Sequence, residues 1–469
     1  MRRLRDVGVA VAILVALEAL VRLLGLGRAV DDTPVRFVNE ESGWARAGVY
    51  YEIDPELFWR LRPSAEIVGG LYRTNSLGLR GPEIEAPKPA RTFRIALVGD
   101  SCTFGLGLDL PDTYGAMLET LEGPDGERVE TVRLAVPGYS SLQSLWLAER
   151  ILPRLEADAV VLYVGAFNDA APACGATDAE IARSMATVGL RTVLGRLALY
   201  RALAGLVRDA PPRCPPPDPE PRVDLEGFSD NLDRLVRVAR HPAGRRRSPP
   251  GLVVVVPPVV PQAPAEPYGD AVARIRGAVA PRLAGGDFQP DRIHPNRSGN
   301  VEIARRLAPS LRLRGELDPR EVADARSADA ADDLMVRAEP QRARDLFGDL
   351  AARHPDRPRL AIAFVRATLA IDAAAALPIA ADAVRRHPRV TDLRRLYAEA
   401  LAASGDDAAA EGQMRAGLAS DRGWIYGRVV LARSLLARGD RAGARRQALR
   451  GLAVAPTSRE LREIERATR

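Results

Sequence analysis

Five residues in the middle of the chain carry groups suited to hydrolysis through a nucleophilic serine. They are Ser101, Gly138, Asn168, Asp291 and His294. A serine hydroxyl becomes a good nucleophile when a neighbouring base takes its proton, and histidine is the usual base near neutral pH. A carboxylate on the other ring nitrogen fixes the tautomer and stabilises the imidazolium. The residue types therefore predict Ser101 as nucleophile, His294 as base and Asp291 as its orienting carboxylate.

The remaining groups suit the oxyanion that forms when a serine attacks a carbonyl carbon. The candidate donors are the backbone N–H groups of Ser101 and Gly138 and the side-chain amide of Asn168. Removing one such donor typically raises the reaction barrier by about 3–4 kcal/mol. Glycine at position 138 permits a close backbone approach that a side chain would block. We therefore predict an oxyanion hole built from these three residues.

The other three histidines have simpler explanations than catalysis. His241 precedes an arginine run, and His354 and His387 each precede a proline in a repeated pattern. Asp291 lies three residues before His294, so a local turn can bring its carboxylate to Nδ1. His294 is therefore the candidate base.

Four short apolar segments are expected to position these groups. They span residues 93–98, 131–136, 159–164 and 252–256. Helical patterns lie between them, over residues 112–121, 141–157 and 228–240. Short buried strands that alternate with helices predict a parallel sheet with helices on both faces. Ligands bind such sheets at the carboxyl ends of the strands, where the candidate residues follow the first three segments or enter from the last loop.

Four sequence blocks together resemble those of the SGNH (GDSL-type) hydrolase family. The blocks read Gly99-Asp100-Ser101, Pro137-Gly138-Tyr139, Gly165-Ala166-Phe167-Asn168-Asp169 and Asp291-Arg292-Ile293-His294. The segment from Asn75 to Gly81 also resembles one that precedes the serine in a bacterial branch of the family. In the third block Gly165 stands three residues before Asn168, where the family pattern usually has two.

The resemblance covers about residues 50–312 and implies a fold and an activity. The fold would be a flavodoxin-like, three-layer α/β domain with a parallel sheet. The activity would be cleavage of a carboxylic ester through an acyl-enzyme, on a small-molecule, lipid or glycan substrate. The family roles would fall on Ser101, His294 and Asp291 as the triad. Gly138 and Asn168 would join the Ser101 N–H in the oxyanion hole.

After about residue 320 the strand patterns stop and a period of 34 residues begins. Gly405-Asp406 recurs at Gly439-Asp440, and Pro388 and Pro456 lie two such periods apart. This period resembles the tetratricopeptide repeat, in which stacked helical hairpins form a concave binding surface. We therefore expect an all-α helical-hairpin domain over residues 320–469 that binds a protein or peptide partner.

Two other functions remain open alongside an esterase. An O-acyltransferase would use the same triad to pass an acyl group to an envelope glycan instead of water. A non-catalytic scaffold would bind protein partners through the repeats. Taken singly, Ser101 could be a helix cap and Asn168 part of a plain turn. All four blocks in order at strand ends favour a catalytic domain over the scaffold. Because an esterase and an acyltransferase share the first half of their chemistry, the sequence leaves both open.

The composition excludes several other classes of protein. The chain has 469 residues, of which 46% are hydrophobic and 27% charged, as in a globular protein of about two to four domains. Its net charge of +6 rests on arginine with Lys88 as the single lysine, so nucleic-acid binding is not expected. The three cysteines exclude a disulfide-rich scaffold: we expect Cys102 to be a small buried residue, and Cys174 could pair with Cys214. We expect no metal and no other cofactor.

The chain begins with three arginines ahead of an apolar stretch from Val7 to Leu26. This pattern is typical of a signal peptide or of an uncleaved membrane anchor with its positive end inside. Glu18 and Arg22 interrupt the stretch, but they lie four residues apart and can pair on one helix face. We expect a transmembrane anchor, with the catalytic domain outside the cytoplasm. Cleavage would instead give a secreted or periplasmic protein.

The sequence thus predicts four segments along the chain. They are an anchor helix over 1–30, an irregular lead-in over 31–90, a hydrolase domain over 91–315 and a repeat domain over 320–469.

Overall fold

The computed structural model describes residues 2–24, 50–173, 176–185, 194, 197–207, 220–241, 250–258, 264–455 and 458–469. Its first element is the helix α1 (Arg2–Leu23), in which Arg22 Nε donates to Glu18 Oε1 at 2.6 Å. Among these residues, no helix has the length and apolarity needed to cross a membrane. The expected transmembrane anchor is therefore not borne out, because the uncharged run from Val7 to Leu17 is far shorter than the roughly 20 residues that a span requires. Export through this segment stays a prediction.

The lead-in contains two small antiparallel hairpins rather than irregular chain throughout. β1 (Tyr51–Asp54) pairs with β2 (Phe58–Leu61), and β3 (Glu66–Ile67) pairs with β4 (Tyr72–Arg73). Strands of two to four residues are too short to show an alternating pattern in the sequence. Their apolar side chains join the main core, so residues 50–90 are part of the folded body.

A four-stranded parallel sheet follows, as the apolar segments predict. Its strands are β5 (Thr92–Gly99), β6 (Arg128–Ala135), β7 (Ala159–Tyr163) and β8 (Gly251–Val254), in the spatial order β6-β5-β7-β8. Every residue of β7 is buried, as expected for a strand covered on both faces. This order makes the carboxyl ends of β5, β6 and β7 neighbours at one edge.

Helices connect these strands and cover both faces of the sheet. They are α2 (Ser101–Phe104), α3 (Tyr114–Leu118), α4 (Ser141–Leu155), α5 (Ala166–Ala170), α6 (Asp178–Met185), α7 (Ala198–Val207), α8 (Leu225–Arg240), α9 (Glu266–Ala273) and α10 (Arg297–Ser310). Residues of α4 and α8 share a core with Ala96 and Val98, on one face. Residues of α3 and α10 share a second core with Ile95 and Leu97, on the other.

The rest of the chain is an array of helical hairpins. Its helices are α11 (Pro319–Val336), α12 (Pro340–Arg353), α13 (Pro358–Leu369), α14 (Ala373–Arg386), α15 (Thr391–Ala403), α16 (Asp407–Ser420), α17 (Ile425–Ala437), α18 (Arg441–Leu452) and α19 (Arg459–Ala467). From α13 onward, successive hairpins begin 33 or 34 residues apart. Gly405 and Gly439 follow α15 and α17 with φ of 86° and 83°, the left-handed conformation that ends a helix. The tetratricopeptide identity of these hairpins and their protein partner stay predictions.

Among the contacts of the array with the preceding domain are those of three successive inter-repeat turns, at residues 354–357, 387–390 and 421–424. Each of these turns makes at least one polar contact, from Arg357, Arg389 and Asp421 respectively. Their partners are the Asp112 carboxylate at 3.0 Å, the Glu66 carboxylate at 2.9 Å and the Gly69 N–H at 3.1 Å. We call these turns the docked edge of the array.

Candidate active site

Ser101 stands at the carboxyl end of the central strand β5, where it is the first residue of α2. Asp100 caps this short helix, because its Oδ1 accepts a hydrogen bond from the Cys102 N–H at 2.9 Å. Burial raises the pKa of Asp100 to about 6, although the Cys102 N–H favours the ionised form. A buried carboxyl group therefore lies directly beside the candidate nucleophile.

His294 reaches Ser101 from the loop that precedes α10. Its Nε2 lies 2.8 Å from Ser101 Oγ, although 193 residues separate the two in the chain. Its Nδ1 lies 2.6 Å from Asp291 Oδ2. These distances fit the tautomer that carries its proton on Nδ1, which leaves Nε2 to accept the serine proton.

A tight local turn holds Asp291 against His294. Asp291 Oδ1 accepts hydrogen bonds from the backbone N–H groups of Ile293 and His294, at 2.9 and 3.0 Å. Arg292, between them, has the left-handed φ of 60°. Burial opposes ionisation of Asp291, but hydrogen bonds from the side chain and backbone of His294 hold its pKa at about 2. Asp291 is therefore a carboxylate throughout the neutral range.

The predicted oxyanion donors lie at the ends of the neighbouring strands. Gly138 follows β6 with φ of 84°, and a side chain there would approach Trp59, whose ring carbon is 3.6 Å from the ideal Cβ position. Asn168 lies in α5, directly after β7. Its amide donates to Asp100 Oδ2 at 3.1 Å and to the Tyr139 carbonyl at 2.9 Å. Asn168 thus joins the serine turn to the turn that contains Gly138.

The third block has one more residue between Gly165 and Asn168 than the family pattern, and α5 accommodates it. Gly165 precedes this helix, and a Cβ at that position would stand 1.4 Å from Asp100 Oδ2. Glycine is therefore required there because the Asp100 carboxylate takes the space of a side chain. The helical turn after Gly165 still brings the Asn168 amide to Asp100.

Two polar networks next to the predicted oxyanion donors were not predicted from the sequence. Arg222 donates to the Gly138 carbonyl at 2.8 Å and pairs with Asp178 at 3.0 Å. No local pattern connects these residues. Asp169 accepts hydrogen bonds from the Ser141 N–H and hydroxyl, and its place in the third block is the available hint. Burial raises the pKa of Asp169 to about 8, against the hydrogen bonds from Ser141.

The remaining histidines and the cysteines lie elsewhere or play other parts. His241, His354 and His387 each stand at the C-terminal end of a helix. Cys102 is a free, buried thiol in an apolar cluster, and burial raises its pKa well above the ordinary value. The proposed pairing of Cys174 with Cys214 lies outside the described residues. Within the described part of the chain, no three His, Cys, Asp or Glu side chains form a group that could hold a metal ion.

Comparison with protein families gives a match for part of the chain. Residues 97–301 match the model of the GDSL-like lipase/acylhydrolase family, which identifies this part as a domain of that kind. The match supports an ester-hydrolysing enzyme at the general level of the family. No curated protein matches the chain.

Solved structures that resemble the chain include hydrolases and a repeat protein. The lipase/acylhydrolase from Enterococcus faecalis is 16% identical, with 47% of this chain and 97% of that chain covered and a TM-score of 0.30. The psychrotrophic esterase EstA from Pseudoalteromonas sp. is 14% identical, with 47% and 96% covered and a TM-score of 0.30. A thermophilic tetratricopeptide-repeat protein from Thermus thermophilus is 21% identical, with 37% and 88% covered and a TM-score of 0.28. At such identities and TM-scores, the likenesses do not extend to what those proteins bind or act on.

Proposed function

We propose that this protein is a serine esterase that hydrolyses carboxylic esters through an acyl-enzyme. The observation that carries the proposal is the run of contacts from Asp291 through His294 to Ser101, at 2.6 and 2.8 Å. A nucleophile, a base and an orienting carboxylate in that order are what activation of a serine requires. The family match over residues 97–301 supports the same reaction class.

In the first half-reaction, Ser101 Oγ attacks the carbonyl carbon of the ester while its proton passes to His294 Nε2. The carbonyl oxygen becomes an oxyanion, which the N–H groups of Ser101 and Gly138 stabilise. The tetrahedral intermediate then collapses, and the bond to the alcohol oxygen breaks. The departing alcohol takes the proton from Nε2, so an acyl-Ser101 ester remains.

In the second half-reaction, water replaces the alcohol. His294 Nε2 takes a proton from the water while its oxygen attacks the acyl carbon. Collapse of the second intermediate returns that proton to Ser101 Oγ and releases a carboxylic acid. The anionic Asp291 stabilises the imidazolium in both halves, because its pKa near 2 keeps it charged.

Asn168 is the third oxyanion donor in this proposal. Its amide already carries two hydrogen bonds, to Asp100 and to the Tyr139 carbonyl. To donate to the oxyanion, one of its N–H groups has to exchange one of these bonds for the oxyanion as negative charge develops there. An interaction that strengthens in the transition state lowers the barrier without tightening the binding of substrate.

Covalent labelling tests the proposal directly. The folded protein is treated with a fluorophosphonate, and the adduct is located by mass spectrometry in wild type and in Ser101→Ala. We expect an adduct on Ser101 that is absent from the variant, and turnover of a p-nitrophenyl ester that is lost with it. A folded wild-type protein that neither forms the adduct nor turns over esters would overturn the proposal and favour the scaffold. Product analysis with and without an envelope-glycan acceptor distinguishes hydrolysis from acyl transfer.

A further inference from the structure

The loop that follows the nucleophile helix contains two buried carboxylates that the proposed reaction does not use. This loop covers residues 105–112, between α2 and α3. Asp109 and Asp112 in it are only 4% and 2% exposed. Buried carboxylates need partners of opposite charge or hydrogen-bond donors. Partners from the helical array are Arg357, in the first turn of the docked edge, and Arg359, two residues after it.

Arg359, in the first turn of α13, binds the loop in two ways. Its backbone N–H donates to Asp109 Oδ2 at 3.0 Å. Its guanidinium donates from Nη2 to the hydroxyl of Tyr72 at 2.6 Å. The same hydroxyl accepts a hydrogen bond from the Gly107 N–H at 2.8 Å. Tyr72, from the lead-in, therefore links an arginine of the array to the loop after the serine.

Arg80 connects this link to the nucleophile helix itself. Its guanidinium donates to the carbonyl oxygens at the end of α2 and just beyond it. These are the carbonyls of Phe104, Gly105 and Leu108, at 2.7, 2.8 and 2.8 Å. The guanidiniums of Arg80 and Arg359 both lie over the Tyr72 ring, 4.6 and 5.2 Å from its centroid. Each guanidinium thereby gains a cation–π contact with the same ring.

The loop is also tied to the histidine. Gln289 Nε2 donates to the Leu106 carbonyl at 2.7 Å, and the Gln289 N–H donates to the His294 carbonyl at 2.8 Å. A displacement of the loop would therefore act on both partners of the proton transfer. Ser101 lies at one end of these contacts and His294 at the other.

A second set of contacts holds the histidine side to the array. Arg297, three residues after His294, lies 3.5 Å from Asp112 and 3.0 Å from Asp332 of α11. Arg357 donates to the same Asp112 at 3.0 Å. The array thus holds the loop after Ser101 and the start of the helix after His294.

Resting on the proposed esterase function, we propose that Arg359 and Tyr72 are positioning residues for the reaction. They act through the 105–112 loop and Arg80, and they make the helical array a support of the active site. A misplacement of reacting groups by about 1 Å can cost on the order of 100-fold in rate. Loss of the link should therefore slow the attack by Ser101 more than it weakens substrate binding.

The test uses the full chain with Tyr72→Phe and Arg359→Ala. Tyr72→Phe keeps the ring and removes the hydroxyl, and Arg359→Ala keeps the N–H that binds Asp109. The matched control is Arg389→Ala, which removes an arginine of the next inter-repeat turn whose partner is Glu66. Three quantities are measured for each protein: the fluorophosphonate labelling rate of Ser101, kcat and KM for a p-nitrophenyl ester, and Tm.

We expect Tyr72→Phe and Arg359→Ala to lower kcat and the labelling rate by about 10- to 100-fold with KM nearly unchanged. Arg389→Ala should match wild type in both. The double variant should be no slower than the slower of the two single variants, because both changes break one link. Arg359→Lys, which keeps the charge and a donor, should recover part of the rate.

Two results would overturn the inference. One is a wild-type labelling rate in both folded variants. The other is a fall in Tm with no change in kcat at a temperature where the variants are folded, which would make the link purely structural. An unlabelled, inactive wild type would instead refute the esterase proposal, so the two failures are distinguishable.

Discussion

The parallel sheet and the helical array bring residues together in opposite ways. In the sheet domain, distant segments converge: strand ends meet at one edge, and the loop before α10 brings His294 against Ser101 across 193 residues. In the array, each hairpin contacts mainly its neighbours, and equivalent turns form a row rather than a cluster. Convergence builds a reactive site, whereas repetition builds an evenly spaced line of contacts. The docked edge is such a line, and we propose that its contacts help to position the active site.

The two regions also differ in how they fill their cores. The sheet buries large side chains, and Leu97, Val161 and Leu162 are fully inaccessible to solvent. The array relies more on alanine, with Ala380 and Ala444 equally buried where helices approach closely. Because the large side chains of the sheet share one core on each face, a substitution there should affect packing throughout the domain. A substitution in the array should affect mainly the adjacent helices.

The largest expected effect is a loss of activity, and it compares a histidine of the sheet domain with a histidine of the array. We expect His294→Ala to lower kcat/KM by about 10⁴-fold or more, because it removes the base of the proposed triad. His354→Ala is the control, since His354 contacts Asp324 within the array at 2.7 Å. Steady-state assays of both variants check the prediction. Equal losses of activity in the two would contradict the assignment of the base.

The next effect concerns stability and compares two fully buried leucines. We expect Leu97→Ala in β5 and Leu461→Ala in α19 each to cost about 2–5 kcal/mol of local or global unfolding free energy. Hydrogen exchange should show reduced protection throughout the sheet for Leu97→Ala. For Leu461→Ala the reduction should be confined to α18 and α19, because a terminal hairpin opens independently. Loss of protection in the sheet after Leu461→Ala would show that the two regions unfold as one unit.

A pH-dependent effect concerns the buried Asp169 behind the active site. In the folded protein this carboxyl keeps its proton up to about pH 8, whereas an unfolded chain releases it near an ordinary pKa of about 3.9. The stability associated with the neutral form is therefore complete below about pH 4 and is lost as the pH rises to about 8. We expect Asp169→Asn to reduce this pH dependence, by up to about 1.4 kcal/mol per pH unit. Urea unfolding of both proteins at several pH values measures it, and parallel pH profiles would exclude Asp169 as the cause.

The smallest effect is expected at an exposed ion pair of the array. Arg459 and Glu463 lie one turn apart on α19, with side chains 91% and 54% exposed. Solvent screens such a pair, so Arg459→Ala should leave Tm and kcat unchanged. Thermal melts and ester assays check this. A clear fall in either quantity would mean that the array depends on its arginines wherever they lie, and not only at the docked edge.

Sequence reasoning predicts well those features that are continuous or local. The apolar run over 159–164 corresponds to β7, and the run over 93–98 to β5, because fully buried strands read as unbroken apolar segments. The Asp291 turn is equally visible, since its partner is three residues away. The pairing of Ser101 with His294 is predicted from the residue types, from the simpler explanations of the other three histidines and from the family resemblance, and not from any spacing.

Long-range polar contacts are invisible to the same reasoning. Tyr72 and Arg359 meet across 287 residues, and neither stands in a recognisable motif. The net charge of the sequence does not show which arginines are buried, yet Arg94 and Arg133 are among the largest fully buried side chains. A buried arginine is identified by the carbonyls and carboxylates around it, and those come from distant parts of the chain. The short hairpins of the lead-in are missed because two-residue strands leave no pattern.

The docked edge has a consequence for how such a protein can evolve. Three successive inter-repeat turns contact fixed points on the lead-in and on the loop after Ser101. Insertion of one hairpin between α13 and α16 would shift the later turns by a whole repeat and separate them from those points. Hairpins added beyond α17 would leave all three contacts unchanged. We therefore expect homologous chains to vary in length at the C-terminal end of the array and to keep a constant number of hairpins before it.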